Sequence, residues 1–321
     1  MTVGITLTNG LEAVVITDRR STGSNGRQSD SSTKSEMFRG PNYNGVMFGA
    51  GVGNVILGLL SSIGGLPPSG NIDEFSEQIR RFYKGKIDEN DAQSIEVAKG
   101  KIQKKAALID DAAQREQFVQ QELFRHMQQY DQSKQDPKMQ SEFILAAFDG
   151  IGKRVRQFYL SKDMLTELFT PHAEIGSGAD GAGMYFTTKM QGIDPSRMDL
   201  DQMALLAMNA YCSATVNTGV GGTPQIHLID QEGTETLIRE RSVALANVSG
   251  AYLAELIKPE PDIALAYFRD ILEHKEPRYD IIARKLGINP GALTSIWIPP
   301  SSWQEAANAA RFPAANGGRE K

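Results

Sequence analysis

Three residues near the start of the chain, Thr2, Asp18 and Lys34, have the types and spacing that could turn a hydroxyl into a nucleophile. Methionine aminopeptidases remove Met1 when the next side chain is small, as threonine's is. Thr2 then carries a hydroxyl and a free α-amine on one residue. The hydroxyl attacks poorly until a base takes its proton. An α-amine, with an ordinary pKa of about 7.7–8.0, can be that base, and the threonine–terminal-amine pair is an established route to covalent catalysis. The amine must be neutral to act, and a nearby ammonium disfavours its charged form. The ammonium in turn needs a carboxylate to hold it. Asp18 and Lys34 follow Thr2 by 16 and 32 residues.

The surrounding pattern supplies elements to bring these groups together. Val3, Ile5 and Leu7 alternate with small or polar residues, as in a half-buried strand. Asn9-Gly10 is the dipeptide of a tight hairpin, and Leu11 to Thr17 returns as a second strand ending at Asp18. The stretch STGSNGRQSDSST reads as a loop or irregular hairpin, and Lys34 begins the next ordered segment. Gly45 to Phe48 reads as a short buried strand, and Val52 to Ile63 as a helix behind glycines. A helical insertion spans about 70–138, with Ile95, Ile102, Ile109, Phe118 and Phe124 roughly on one face. Strands resume at Phe143–Phe148 and Val155–Leu160. HAEIGSGADGAG reads as strand, glycine turn and helix, Asp199–Val216 as a helix, and PQIHLID with ETLI as a closing pair of strands. Only helices follow. Such segregated blocks argue for an α+β layered fold.

With its Thr, Asp and Lys at these offsets, an Asp-x-Arg turn completed by Arg20, and a Gly-Ser-Gly turn in IGSGADGAG, the chain resembles the proteasome β-type family of N-terminal-nucleophile hydrolases, including the simpler two-component bacterial peptidases. The resemblance covers roughly 1–65 and 140–240. It implies a four-layer αββα sandwich with inserted helices and a C-terminal helical appendix, divided as 2–240 for the core and 241–321 for the extension. It implies Thr2 as nucleophile, Lys34 and Asp18 as the pair that tunes its amine, and Ser177 and Arg20 as residues that order the site. FGAGVGN resembles the segment that forms the oxyanion hole, at the N–H of Ala50 or Gly51. Ser21, Ser32, Phe48 and Val52 fall where that family lines its substrate pocket, which points to an apolar preference. Asn217 and Val220 stand where family members often have an Asp and a Ser.

The activity so implied is a threonine-type peptidase or amide hydrolase acting on a peptide or unfolded protein in the cytoplasm. It would work in a homo-oligomeric ring, with an ATPase or adaptor as partner and no cofactor or metal. Two other readings keep the fold: a non-catalytic ring or scaffold subunit that docks partners, and a ligase that passes the acyl group to an amine.

Other motifs point elsewhere less well. Gly176, Gly178 and Gly181 match G-x-G-x-x-G letter for letter, but the acidic residue expected about 20 positions on falls in a loop. YDIIARKLGINPGALTSIW has helix-turn-helix spacing, yet the segment after Gly287 lacks Arg and Lys, so it reads as a packing or docking element. His126, His172, His227 and His274 are isolated and read as structural or surface residues. Cys212, the single cysteine, reads as a core residue in a reducing compartment. A net charge of −5 gives no general attraction to nucleic acid or anionic membrane. The uncharged run from Gly40 to Ile72 is broken by glycines and prolines and reads as a buried strand and helix, not a membrane span. The chain shows no signal-peptide pattern at its start.

Overall fold

The computed structural model describes residues 2–19, 21–22, 28–29, 33–135, 140–162, 164–215, 221–257, 261–274, 276–303 and 305–306. It is a mixed α+β structure with two five-stranded antiparallel sheets. The first sheet contains β1 (Gly4–Thr8), β2 (Ala13–Thr17), β10 (His172–Ile175), β11 (Gln225–Ile229) and β12 (Thr234–Thr236), in the order β10-β1-β2-β11-β12. The second contains β5 (Ser35–Gly40), β6 (Tyr43–Ala50), β7 (Glu142–Asp149), β8 (Arg154–Leu160) and β9 (Leu165–Leu168), in sequence order. The two-residue strands β3 (Ser21–Thr22) and β4 (Gln28–Ser29) pair with each other as a separate two-stranded ribbon.

The hairpin read at Asn9-Gly10 is present, but its loop spans four residues. Thr8 pairs with Ala13, and the Asn9 side chain accepts from the N–H groups of Leu11 and Glu12. That asparagine satisfies the turn's own backbone donors, so the tighter two-residue form is not needed. Two strands carry no clear sequence signal, β5 and β9. The first is an edge strand whose Glu36 and Met37 are exposed, so a regular apolar alternation is missing.

Apolar layers flank both sheets. Val14 and Ile16 of β2, with Val3, Ile5 and Leu7, face α4 (Ala179–Lys189) and α5 (Leu200–Ala214). Ala13, Val15, Val46, Phe48, Ile144, Ala146 and Ile175 fill the space between the sheets. Met47, Phe143, Leu145 and Phe158 face α1 (Gly53–Ile63) and the first part of α2 (Ile72–Ala106). The period of two along each strand sends alternate residues to opposite layers. This explains why β1, β2 and β6 are buried at every position.

The helical insertion is α2 followed by α3 (Ala112–Gln135). The first part of the insertion is one unbroken 35-residue helix, Ile72–Ala106. Asn71 caps its start by accepting from Glu74 N–H. Of the five residues expected on one face, Ile102 is buried, but Phe124 is 64% exposed. α3 packs against the distal half of α2.

The last helices, α6 (Arg239–Leu253), α7 (Pro261–Glu273), α8 (Tyr279–Leu286) and α9 (Pro290–Ser295), share their core with α5. Asn247 of α6 is fully buried. Its amide donates to the carbonyls of Leu293 and Ile296, and its oxygen accepts from Ile298 N–H. The helix-turn-helix-like stretch is thereby a packing element over α6. No helix of the described residues is long and apolar enough to cross a membrane.

Candidate active site

Thr2 stands one residue before Val3, at the entry to β1. Asp18 follows the last residue of β2, and Lys34 precedes the first residue of β5. The β1–β2 hairpin returns the chain to its start, so Asp18 N–H donates to Val3 O at 3.1 Å, and Asp18 Oδ1 accepts from Val3 N–H at 3.1 Å. Lys34 comes from the other sheet and is fixed by Gly49 N–H donating to its carbonyl at 3.0 Å. Its Nζ donates to Thr2 Oγ1 at 2.8 Å and to Asp18 Oδ1 at 2.9 Å. The three side chains thus meet where the ends of β1, β2 and β5 converge.

All three are deeply buried: Thr2 is 7% exposed, Asp18 0% and Lys34 6%. Burial pushes the Asp18 carboxyl above its ordinary value, opposed by the Lys34 ammonium and by the hydrogen bonds it accepts. Low local polarity strengthens the attraction between the two charges and also makes either one expensive alone. The Lys34 ammonium, in donating to Thr2 Oγ1, favours the hydroxyl's deprotonated form.

Ser177 lies in the turn between β10 and α4. Thr2 N–H donates to Ser177 Oγ at 3.1 Å, and Gly178 N–H donates to Thr2 O at 3.2 Å. The glycines of IGSGADG have a local purpose here. Gly176 adopts φ +91°, and a methyl group on it would overlap the Thr2 carbonyl oxygen and come within 3.1 Å of Ala50 Cβ. The turn therefore lets the backbone lie against Thr2, and Gly181 is set inside α4 against α5.

Ala50 ends β6 and is buried. Gly51 follows with φ +121°, where a side chain would also overlap Gln140 O. Val52 is half-buried, and its N–H donates to Ser141 Oγ at 3.1 Å. Phe48 is fully buried in the layer between the sheets, with its ring over Gly4. Ser21 lies on β3, opposite Ser29. Arg20, Ser32, Asn217 and Val220 lie outside the described residues.

The sequence reading missed one buried polar bridge beside this site. His227 of β11 is 1% exposed. Its Nε2 is 2.8 Å from Ser35 Oγ, and its Nδ1 is 2.8 Å from Thr236 Oγ1. The ring therefore joins the two sheets next to Lys34. An isolated histidine gives no sequence signal for this, because Ser35 is 192 residues away.

Burial pushes the His227 imidazole down to about 4. The folded state therefore keeps it neutral where an unfolded chain would protonate it. Its contribution to stability is fully present above about pH 6.5, falls as pH drops, and is lost near pH 4. The expected loss is about 3 kcal/mol between these limits. Urea unfolding at pH 7 and pH 4.5 checks this: a His227→Gln variant should show a smaller difference between the two pH values than wild type.

Comparison with known proteins bears on the fold. No protein-family model and no curated protein sequence matches the chain. Among solved structures, it is similar to the Anbu (Gly-1) mutant from Hyphomicrobium sp. strain MC1, at 14% identity and a TM-score of 0.50, over 74% of this chain and 85% of that one. It is similar to Anbu from the same strain at 14% identity and a TM-score of 0.48, with the same coverage. It is also similar to Anbu (ancestral beta-subunit) from Yersinia bercovieri at 12% identity and a TM-score of 0.48, over 74% of this chain and 88% of that one. Only the first score supports an argument, and at that identity it concerns the fold alone. The comparison corrects the resemblance drawn from the sequence. These solved structures are Anbu proteins, so the assignment to the proteasome β-type family drawn from the sequence does not stand.

Proposed function

We propose that the chain is an amide hydrolase whose nucleophile is the Thr2 hydroxyl and whose base is the α-amine exposed when Met1 is removed. The observation that carries this reading is the Lys34 ammonium, 2.8 Å from Thr2 Oγ1 and 2.9 Å from Asp18 Oδ1. A buried ammonium beside a hydroxyl and an adjacent nitrogen is the arrangement that keeps an amine neutral near pH 7.

The reaction runs in two halves. Thr2 Oγ attacks the amide carbonyl while its proton passes to the Thr2 amine. Backbone N–H groups at Ala50 or Gly51 stabilise the oxyanion of the tetrahedral intermediate. The protonated amine then gives its proton to the leaving nitrogen, the C–N bond breaks, and an acyl ester remains on Thr2. Water, deprotonated by the same amine, resolves the ester and releases the acid. Lys34 stabilises the developing alkoxide, Asp18 holds Lys34, and Ser177 orients the amine.

The three apolar layers flanking the two sheets support reading the core as a four-layer αββα sandwich, with its catalytic end where β1, β2 and β5 converge. Val52, half-buried, supplies apolar lining near that end, with Ser21 and Ser32 as further candidates for the substrate pocket and Arg20 as a candidate for ordering the site. The reading extends to a threonine-type peptidase acting on peptide or unfolded protein, within a homo-oligomer. Peptide hydrolysis by the processed wild-type chain and by Thr2→Ala, measured side by side, tests it. Turnover that depends on Thr2 is the expected result, and equal turnover by the two proteins would overturn it.

A further inference from the structure

Glu142 is a carboxylate beside the site that the chemistry above leaves unused. It begins β7 and is the direct cross-strand partner of Ala50. Residues paired in this way have Cβ atoms about 4.5–5.5 Å apart. Along β7, Ile144, Ala146 and Phe148 face the layer between the sheets, whereas Phe143, Leu145 and Ala147 face α1 and α2. The two-residue period therefore turns Glu142 toward the space between the sheets, on the same side as Ala50. Tyr159 of β8 packs against that layer too. Burial, and then the neighbouring Glu142 carboxylate, push its phenol above the ordinary value.

Glu142 is half-buried, and it forms no ion pair with a cation among the described residues. The other carboxylates around β8 are engaged: Glu167, Asp73 and Asp149 all lie within ion-pair distance of Arg156. The Glu142 side chain shares a hydrogen bond with Tyr159, and a half-buried carboxylate has further lone pairs with which to accept a charge-assisted hydrogen bond from a ligand.

Its place in the sheet says which ligand. In the order β5-β6-β7, the end of β6 has Lys34's strand on one side and Glu142's strand on the other. Gly176 lies between Thr2 and Ala50 in direct contact with both. A peptide whose reacting carbonyl sits at Thr2 and Ala50 thus has one flank toward β5 and the other toward Glu142 and Tyr159.

We propose that Glu142 is a specificity-determining residue that selects a peptide substrate bearing lysine or arginine on the flank that runs along β7. This rests on the reading of Thr2 as the nucleophile. An aliphatic stem would pack on the Tyr159 ring while its ammonium or guanidinium reaches the Glu142 carboxylate. An acidic residue at that position would meet like charge.

The experiment is cleavage of a peptide set in which lysine, norleucine or glutamate is moved through each position on both sides of the scissile bond. Products are read by mass spectrometry, with Thr2→Ala as the blank. The expected result is a Thr2-dependent preference of about tenfold in kcat/KM for lysine over norleucine at one position. In Glu142→Gln that ratio should fall to about two or less, and in Glu142→Lys the preference should invert toward glutamate. Because the ratio is taken within each variant, a general loss of activity does not imitate the effect. Thr2-dependent cleavage with no charge preference, or with a lysine preference that survives in Glu142→Gln, overturns this inference and leaves the proposed function standing. Cleavage that does not depend on Thr2 overturns both.

Discussion

Thr2→Ala abolishes amide hydrolysis, with an expected fall in kcat of about 10⁴ or more, while the protein stays folded. The size follows from removing the only atom that can form the acyl ester, since the remaining oxyanion donors and binding groups give modest acceleration alone. The folding cost is limited because the change deletes one hydroxyl and one methyl group. The lost Oγ1–Lys34 bond, whose donor is charged, accounts for about 1.5–3 kcal/mol, and Lys34 keeps its ion pair with Asp18. Thr2→Ser retains the hydroxyl and the amine and should keep kcat within about tenfold of wild type. Steady-state peptide hydrolysis, paired with thermal unfolding of each variant, measures both halves of the expectation. A fall in activity shared equally by Ala and Ser, or one that tracks a fall in unfolding temperature, would place Thr2 in packing and not in chemistry.

The second large effect is at the buried ion pair. Asp18→Ala removes the carboxylate from an ammonium that is only 6% exposed, and removing one partner of a buried ion pair typically destabilises a protein by about 3–5 kcal/mol. It should also remove activity, because Lys34 is no longer aimed at Thr2 Oγ1. The double variant Asp18→Ala with Lys34→Met separates these two consequences. It replaces the buried ammonium by an apolar chain of similar length, so a large part of the lost stability should return. Activity should not return, since nothing then favours the neutral amine. Urea unfolding and peptide hydrolysis on the three proteins supply the comparison. Recovery of both stability and activity in the double variant would show that the pair matters only for folding.

The groups that chemistry required could be read from the chain because they sit at strand ends that the hairpin brings back to its start. Thr2 and Asp18 are adjacent for the reason that Val3 and Asp18 are: the β1–β2 register closes there. Ser177 was legible through its glycine turn, since Gly176 must take a positive φ to lie against Thr2. Other features were not legible. Lys34 was named by its offset from Thr2, but the strand that follows it, β5, was not legible, because an edge strand with exposed positions does not announce itself by alternation. The Ser35–His227 bridge and the Ala50–Glu142 pairing join residues 192 and 92 positions apart, and no local pattern records such pairings. Phe48, read as pocket lining, is buried at 0% exposure in the layer between the sheets, because every second residue of β6 points there. The unbroken course of α2 was not legible because its distal half buries only Ala98, Ile102 and Ala106. The family resemblance rested on these few short motifs, which are not enough to separate the proteasome β-type branch from its relatives.

The most direct test of the central claim is mass spectrometry of the protein after exposure to a peptidyl epoxyketone, a probe that closes a ring on both the hydroxyl and the free amine of an N-terminal threonine. The account predicts a chain lacking Met1 that carries one probe, mapped to Thr2, with peptide hydrolysis lost in step with labelling. An unlabelled chain that retains Met1 and still hydrolyses peptides would contradict it.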